Sequence, residues 1–221
     1  VVTGGGRVSK GAMEVLLAMN IKMVSPAAFI ERVFDVPVFC QLNTRDYCKH
    51  KEGESFIRSS FYTSPEGYEG DFLKYAQVAD VLIAGAYWDP SAPVLFERED
   101  VLKNNFKIRI IADITCDIQG SIPSTLRSST IDDPIYDYNP SEDIVELPLT
   151  DEANITVMAV DNLPCELSRD ASESFGDELI NNVFPYLVGE DILGTIAKAT
   201  VTEMGSLSDK YDYLKAYVEG K

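Results

Sequence analysis

Histidine is scarce in the sequence, and that scarcity narrows its chemistry first. Its single histidine, His50, sits in the polar stretch Cys48-Lys49-His50-Lys51. A Ser-His-Asp triad or a histidine metal site would have to use it, and nothing around it has the pattern of a partner, so a surface residue is expected. The four cysteines, Cys40, Cys48, Cys116 and Cys165, contain no C-x-x-C pair. They read as reduced thiols with no disulfide framework and no zinc or other metal site. No apolar run approaches the roughly 20 residues that span a bilayer, and no basic-then-apolar leader appears. A membrane role is therefore not expected, and the cytoplasm is the expected location. Basic residues are scarce too: 19 Lys and Arg against 36 Asp and Glu give a net charge of -17. Such a surface is electrostatically wrong for a duplex, which disfavours nucleic acid as a partner. Any phosphate must be held by local geometry and a few cations such as Arg7 and Lys10.

What is present starts at the front of the chain. Val1-Val2 reads as a strand end, followed by Thr3-Gly4-Gly5-Gly6-Arg7-Val8-Ser9-Lys10-Gly11. Beyond it, Val8, Ala12, Val15, Leu16 and Met19 fall on one helical face. Strand, glycine turn and amphipathic helix is the order that sets a helix N-terminus under a pyrophosphate. Gly4 and Gly6 match the first two glycines of G-x-G-x-x-G, but Ser9 stands in place of the third. The competing reading is a plain glycine-rich turn. Because the chain starts inside a strand, it is expected to be a piece of a longer protein.

Strands and helices then alternate. Residues 21–24 read as a second strand, ended by Ser25-Pro26. An acid at this strand end commonly holds the adenosine ribose; here it is Ser25, so the choice between NAD and NADP stays open. Residues 36–42 suit a strand. Residues 43–69 read as an insertion whose aromatic residues, Phe56, Phe61, Tyr62 and Tyr68, form a local core. A helix is expected over 72–79 and a fully buried strand over 81–84. That strand runs into Gly85-Ala86-Tyr87-Trp88, at the edge where α/β sheets bind ligands. A helix over 93–104 and a buried strand over 108–112 follow. Asp113 and Asp117, at and beyond that strand's end, read either as turn caps or as carboxylates facing a nicotinamide ribose or a substrate ammonium. The last clear strand covers 155–160 and leads into Asp161-Asn162-Leu163-Pro164. A helix from Ser168 carries Ala171, Phe175, Leu179 and Val183 as a packing stripe, with Pro185 ending or kinking it. The tail holds a second helical stretch with Tyr211, Leu214 and Val218 on one face. The alternation predicts an α/β fold with a Rossmann-like doubly wound parallel sheet and a C-terminal helical segment. Residues 1–165 are then the dinucleotide-binding domain and 166–221 the helical segment.

Several separated motifs, in order, carry a resemblance. They are Ala159-Val160-Asp161-Asn162-Leu163-Pro164, Asp170-Ala171-Ser172, Phe175-Gly176-Asp177, residues 205–211, Asp113-Ile114-Thr115-Cys116-Asp117 with Gly120-Ser121-Ile122, Ala86-Tyr87-Trp88 and the Gly6-Arg7 turn. Over most of its length the chain resembles the saccharopine dehydrogenase and lysine-ketoglutarate reductase family of the alanine dehydrogenase-like superfamily. The resemblance implies hydride transfer between an imine or oxo acid and an amine, with NAD or NADP as cofactor. In saccharopine chemistry, lysine and 2-oxoglutarate condense and are reduced to saccharopine, or the reverse. It implies that Gly4, Gly6, Arg7 and Ser9 form the pyrophosphate turn and that Ala86 and Tyr87 line the dinucleotide crevice. Asp117 would sit near the nicotinamide, and Asn162 and Leu163 would flank its ring. The family's acid–base lysine and histidine lie in an N-terminal substrate domain that this chain lacks. By itself the chain is thus expected to bind a dinucleotide weakly to moderately and to turn over nothing. Family members differ in assembly, so a homo-oligomer is one expectation. An alanine dehydrogenase-like amino acid dehydrogenase and a non-catalytic nucleotide-sensing module are the competing readings.

Overall fold

The computed structural model describes residues 1–221. Chain contacts divide it into two compact units, Val1–Asn162 and Leu163–Lys221. In the first, strand β1 (Val2–Thr3) passes through the glycine turn into helix α1 (Arg7–Ala18). Strand β2 (Lys22–Met23) and helix α2 (Pro26–Glu31) follow. One extended run then makes two short strands, β3 (Val38–Phe39) and β4 (Gln41–Leu42), with Cys40 between them. Residues 43–70 hold α3 (Thr44–Tyr47), β5 (Cys48–His50), α4 (Arg58–Thr63) and β6 (Tyr68–Gly70), with β5 and β6 antiparallel. After these come α5 (Leu73–Ala76), β7 (Val81–Ala84), α6 (Arg98–Val101), β8 (Ile110–Asp113), β9 (Ile135–Asn139), β10 (Ile144–Glu146) and β11 (Ile155–Met158).

Seven strands form the main sheet in the order β10-β9-β11-β8-β7-β1-β4. From β4 to β11 all pairs are parallel; β9 and β10 close the far edge as an antiparallel hairpin. The fold is α/β and Rossmann-like, with a mostly parallel sheet. The hairpin gave no apolar alternation to read, because its central residue is Asp137. This carboxylate is buried but satisfied, accepting from Thr156 Oγ1 at 2.7 Å and Thr150 N at 3.3 Å. Tyr136 and Tyr138 on either side are wholly buried.

At the opposite edge the structure corrects the expected order. The strand beside β1 is the third extended stretch, β3–β4, and β2 lies outside it, paired in parallel with β3. Val2 N donates to the Cys40 carbonyl and Val24 N to the Phe39 carbonyl, both at 2.9 Å. The strand whose end flanks the glycine turn is therefore the one that runs into Asn43.

The buried face of α1 also differs from the periodicity. Ser9 is buried and Ala12, Met13 and Leu16 are half-buried, whereas Val8, Val15 and Met19 are exposed. Helix α1 buries only Ser9 against the sheet, which rotates the inward face away from the valines. The strand over 81–84 alternates, with Val81 and Ile83 less buried than Leu82 and Ala84, rather than being buried throughout. Phe72, Tyr75, Ala76 and Ala79 are all buried, as their spacing predicts. The helix expected over 93–104 is cut to α6, where Glu97 and Asp100 form a capping box.

The second unit contains α7 (Ser168–Asn182), α8 (Phe184–Val188), α9 (Thr195–Ala199), a hairpin of β12 (Thr202–Glu203) and β13 (Ser206–Leu207), and α10 (Lys215–Val218). Pro185 falls in the first turn of α8, where its missing N–H costs nothing. The tail turns at Met204-Gly205, both at positive φ, and the helical stretch expected at Tyr211, Leu214 and Val218 follows as a 3-10 segment, Asp209–Leu214, that runs into α10. No residue of this unit is buried, and Phe175 of the expected packing stripe is 65% exposed. No helix of the chain is long and apolar enough to cross a membrane.

Candidate functional site

The carboxyl ends of β1, β4, β7 and β8 converge on a cleft of about 1180 Å³. Its floor is the glycine turn. Gly4 takes φ +98°, a region closed to most side chains, and its N–H donates to the Leu42 carbonyl at 2.9 Å. Gln41 Nε2 donates to the Gly4 carbonyl at 2.9 Å, tying the turn to β4. Gly6 leads into α1 with no side-chain cap, and no acid stands in the helix's first turn. The first N–H groups and the positive end of the helix dipole are thus left for an anion. A Cβ on Gly6 would meet nothing within 4 Å, so the space above it is open.

Ser9 does not face that space. It is wholly buried, and its Oγ donates to the Thr3 carbonyl at 2.8 Å and lies 3.3 Å from the Gly85 carbonyl. A Cβ on Gly4 would come within 2.6 Å of this Oγ, and one on Gly85 within 2.8 Å. Close helix–strand packing, which the third glycine gives in G-x-G-x-x-G, is obtained here by a serine hydroxyl seated between two glycines. Ser9 supports the turn from beneath, in place of the expected contact with phosphate.

Ser25 is likewise displaced from its expected role. Its Oγ accepts from Ala28 N at 3.2 Å, capping α2, and it does not line the cleft. The strand order puts Asn43, Thr44 and Arg45 on the cleft wall instead, at the end of the strand beside β1. Sequence reasoning missed these because it assigned that position to the second strand. It also missed Arg58, Phe56 and Tyr62 as cleft wall. The insertion does form an aromatic cluster, with Phe61 and Tyr68 buried and Phe56 packed at 5.3 to 5.6 Å ring separations from both. The same helix α4 also turns residues into the cleft.

After β7, Gly85, Ala86, Tyr87 and Trp88 line the cleft. Trp88 Nε1 donates to the Ala92 carbonyl at 3.1 Å, which pins this turn. Tyr87 stands at the rim with 86% of its surface exposed.

The two aspartates beyond β8 have different tasks. Asp113 is buried, and its oxygens are filled by its own loop. Oδ1 accepts from Thr115 Oγ1 at 2.6 Å, Thr115 N at 3.1 Å and Cys116 N at 3.3 Å; Oδ2 accepts from Thr125 Oγ1 at 2.7 Å. It organises the loop and, 1% exposed, does not line the cleft where a cofactor contact was expected of it. Asp117 is exposed and lines the cleft. Partial burial, then the nearby Asp113 charge, hold its carboxyl above the usual range. A Cβ on Gly120 would lie 2.5 Å from Asp117 Cβ, so only glycine lets the chain fold back this tightly. Cys116, at φ +50°, points its Sγ at Asp161 Oδ1, 3.5 Å away. Burial and that hydrogen bond push its thiol up to about 11, so it stays protonated. Asn162 ends the first unit, exposed and outside the cleft lining; Leu163 opens the second unit.

The cleft lining carries Arg7, Arg45 and Arg58 against one acid, Asp117, in a chain of net charge -17. It is a local inversion of sign, centred on an uncapped helix N-terminus.

No protein-family model matches the chain. Among curated proteins, alpha-aminoadipic semialdehyde synthase of Arabidopsis thaliana is 30% identical over 238 residues, covering 97% of this chain and 22% of that protein. The mitochondrial alpha-aminoadipic semialdehyde synthases of Rattus norvegicus and Mus musculus are each 27% identical, across 100% of this chain and 27% of theirs. The chain thus spans about a quarter of the length of these relatives. Along its whole length the chain is thus similar to a part of these enzymes, in keeping with the resemblance its motifs carry to the saccharopine dehydrogenase and lysine-ketoglutarate reductase family.

Proposed function

We propose that this chain is the nicotinamide-dinucleotide-binding portion of a saccharopine-type oxidoreductase, acting on lysine and 2-oxoglutarate or on saccharopine. The observation that carries this reading is the sign inversion of the cleft: three arginines around an uncapped α1 in an otherwise acidic chain. The residues fit the cofactor. The open space above Gly6 admits a pyrophosphate, and the first-turn N–H groups with Arg7 hold its charge. Asn43 and Arg45 face the adenosine ribose. With no acid at this strand end and an arginine two residues on, the site suits a ribose 2′-phosphate, and we infer a preference for NADP over NAD. Bound there, the dinucleotide supplies or accepts the hydride exchanged with a carbon–nitrogen bond. Ala86 and Tyr87 shape the crevice wall. Asp117, which lines the cleft and whose carboxyl partial burial holds above the usual range, takes or returns a proton there. Asp113 fixes the loop that presents it.

Calorimetric titration with NADPH and NADH tests this reading on wild type, Gly6→Ala and Arg45→Ala. Wild type is expected to bind NADPH more tightly. Gly6→Ala should fold normally, since its Cβ has room, but obstruct approach of the pyrophosphate. Arg45→Ala should weaken NADPH by roughly ten- to a hundredfold while leaving NADH nearly unchanged, in line with a charge-assisted hydrogen bond of about 1.5–3 kcal/mol. Wild type that binds neither cofactor, or binds both equally in all three proteins, would overturn it.

A further inference from the structure

Helix α1 keeps an apolar side that nothing in the chain covers. Val8, Val15 and Met19 recur on one helical face and are 50%, 61% and 63% exposed. Gly11 and Ala18 lie on the same side and are exposed as well. The charged residues of the helix, Arg7, Lys10 and Glu14, fall on the flank beyond them. Val8 also borders the cleft, but Gly11, Val15, Ala18 and Met19 do not. The outward surface of α1 is thus an uncharged stripe of apolar and small residues.

Gly11 has no cause inside the chain. It stands in the interior of the helix, where glycine is less favourable than every residue but proline. Its φ is not positive, and a Cβ there would meet nothing within 4 Å. Gly4 and Gly85, by contrast, are held to glycine by the Ser9 hydroxyl. What Gly11 creates is a gap on the outer surface, one helical turn before the projecting Val15 side chain.

A gap and a projecting side chain one turn apart on one face are complementary to a second copy of that face. With two α1 helices antiparallel about a two-fold axis, Val15 of each enters the gap at Gly11 of the other, and Val8 of each meets Ala18 of the other. Electrostatics favours the same arrangement. Helix α1 has no acid in its first turn and no basic residue in its last. Antiparallel pairing therefore brings each positive N-terminal end, where Arg7 and Lys10 stand, to the negative C-terminal end of the other helix. Two copies of a chain of net charge -17 repel one another at a distance. Glu14, the one acid of α1, lies off the stripe, so contact through this face sets no acid against another.

We propose that α1 is a self-association surface, through which two copies of the chain pair antiparallel with Val15 of each seated at Gly11 of the other. One helix face is smaller than the about 800 Å² per partner of a standard interface, so the pairing is weak and concentration-dependent.

Sedimentation equilibrium of the full chain over a range of concentrations, without cofactor, tests the pairing. Wild type should pass from monomer to dimer as concentration rises, and the dimer should tighten with added salt, which screens the repulsion between acidic copies. Gly11→Val fills the gap and Val15→Gly removes the side chain that enters it; each should weaken the dimer roughly tenfold or more. The double variant, Gly11→Val with Val15→Gly, exchanges gap and side chain while keeping the composition of the helix. It should recover affinity to within about threefold of wild type. Gly11→Val has room for its side chain and gains helix propensity, so it should melt no lower than wild type, which separates lost pairing from lost folding. Wild type that stays monomeric at every concentration, or a dimer that Gly11→Val leaves unchanged, would overturn the proposal. So would a double variant that pairs no better than the singles. No dinucleotide takes part, so these outcomes stand apart from those of the cofactor titrations.

Discussion

Within the first unit, Ile111, Tyr136 and Val157 are wholly buried on adjacent strands, whereas Phe175, halfway along the longest helix of the second, keeps 65% of its surface exposed. Both regions carry good periodic patterns. The first folds its pattern against a sheet that is covered by α1 and by the segment 43–70, and its core is continuous from Leu42 through Ile111 to Tyr138. The second strings short helices and a two-residue hairpin together with nothing buried among them. Periodicity says which side of a helix is apolar, and only a facing surface converts that into stability.

The largest expected effect comes from separating the two regions. A polypeptide of residues 1–162 should unfold cooperatively on heating, while residues 163–221 alone should show no cooperative transition by circular dichroism, since they bury too little to offset chain entropy. A sharp transition in the shorter piece would break the comparison.

Single truncations sharpen it. Ile111→Ala should cost about 2–5 kcal/mol in urea unfolding, and Phe175→Ala within about 0.5 kcal/mol. Asp113→Ala falls between them: it leaves two loop N–H groups and two threonine hydroxyls without their acceptor, costing about 1–3 kcal/mol or more. Its loop amides should also exchange hydrogen faster.

The smallest effect is one of charge, and its sign differs between the regions. Asp117 in the first unit has its pKa raised by burial and by Asp113, so the folded state holds its proton more tightly than the unfolded chain does. Its contribution favours folding at low pH and is lost as pH rises through the folded pKa. Asp191 in the second unit is lowered, chiefly by the Ala197 N–H at 2.9 Å, with Ile196 and Thr195 assisting. Its contribution is present above the unfolded pKa and lost as pH falls through the folded one. Urea midpoints measured between about pH 3 and 7 should therefore show Asp117→Asn gaining on wild type as pH rises. Asp191→Asn should lose ground over the same range. Parallel profiles for the two variants would remove the distinction.

The main elements around the cleft were legible in the sequence because each has a local cause. Glycines at 4 and 6 before an apolar helix mark a turn, and the short apolar runs 81–84, 108–112 and 155–160 mark strands of a parallel sheet. The 135–146 hairpin was not legible. Its buried Asp137 reads as a surface residue until Thr156 and Thr150 are brought to it. Arg45 and Arg58 were hidden for a similar reason: nothing local reveals that the strand before Asn43, and not the one before Ser25, is the neighbour of β1.

By itself, then, the sequence determined the alternation of strands and helices, the left-handed turn at Gly4 and the acidic surface, all of which follow from short-range backbone sterics and composition. Tertiary structure alone decided that Ser9 lies under the turn, that Asp113 is spent on its own loop while Asp117 faces the cleft, and that three arginines gather in an acidic chain. Those outcomes depend on which strands pair, and strand pairing is settled by contacts between residues far apart in the chain, where the energy of one partner has no meaning until the other arrives.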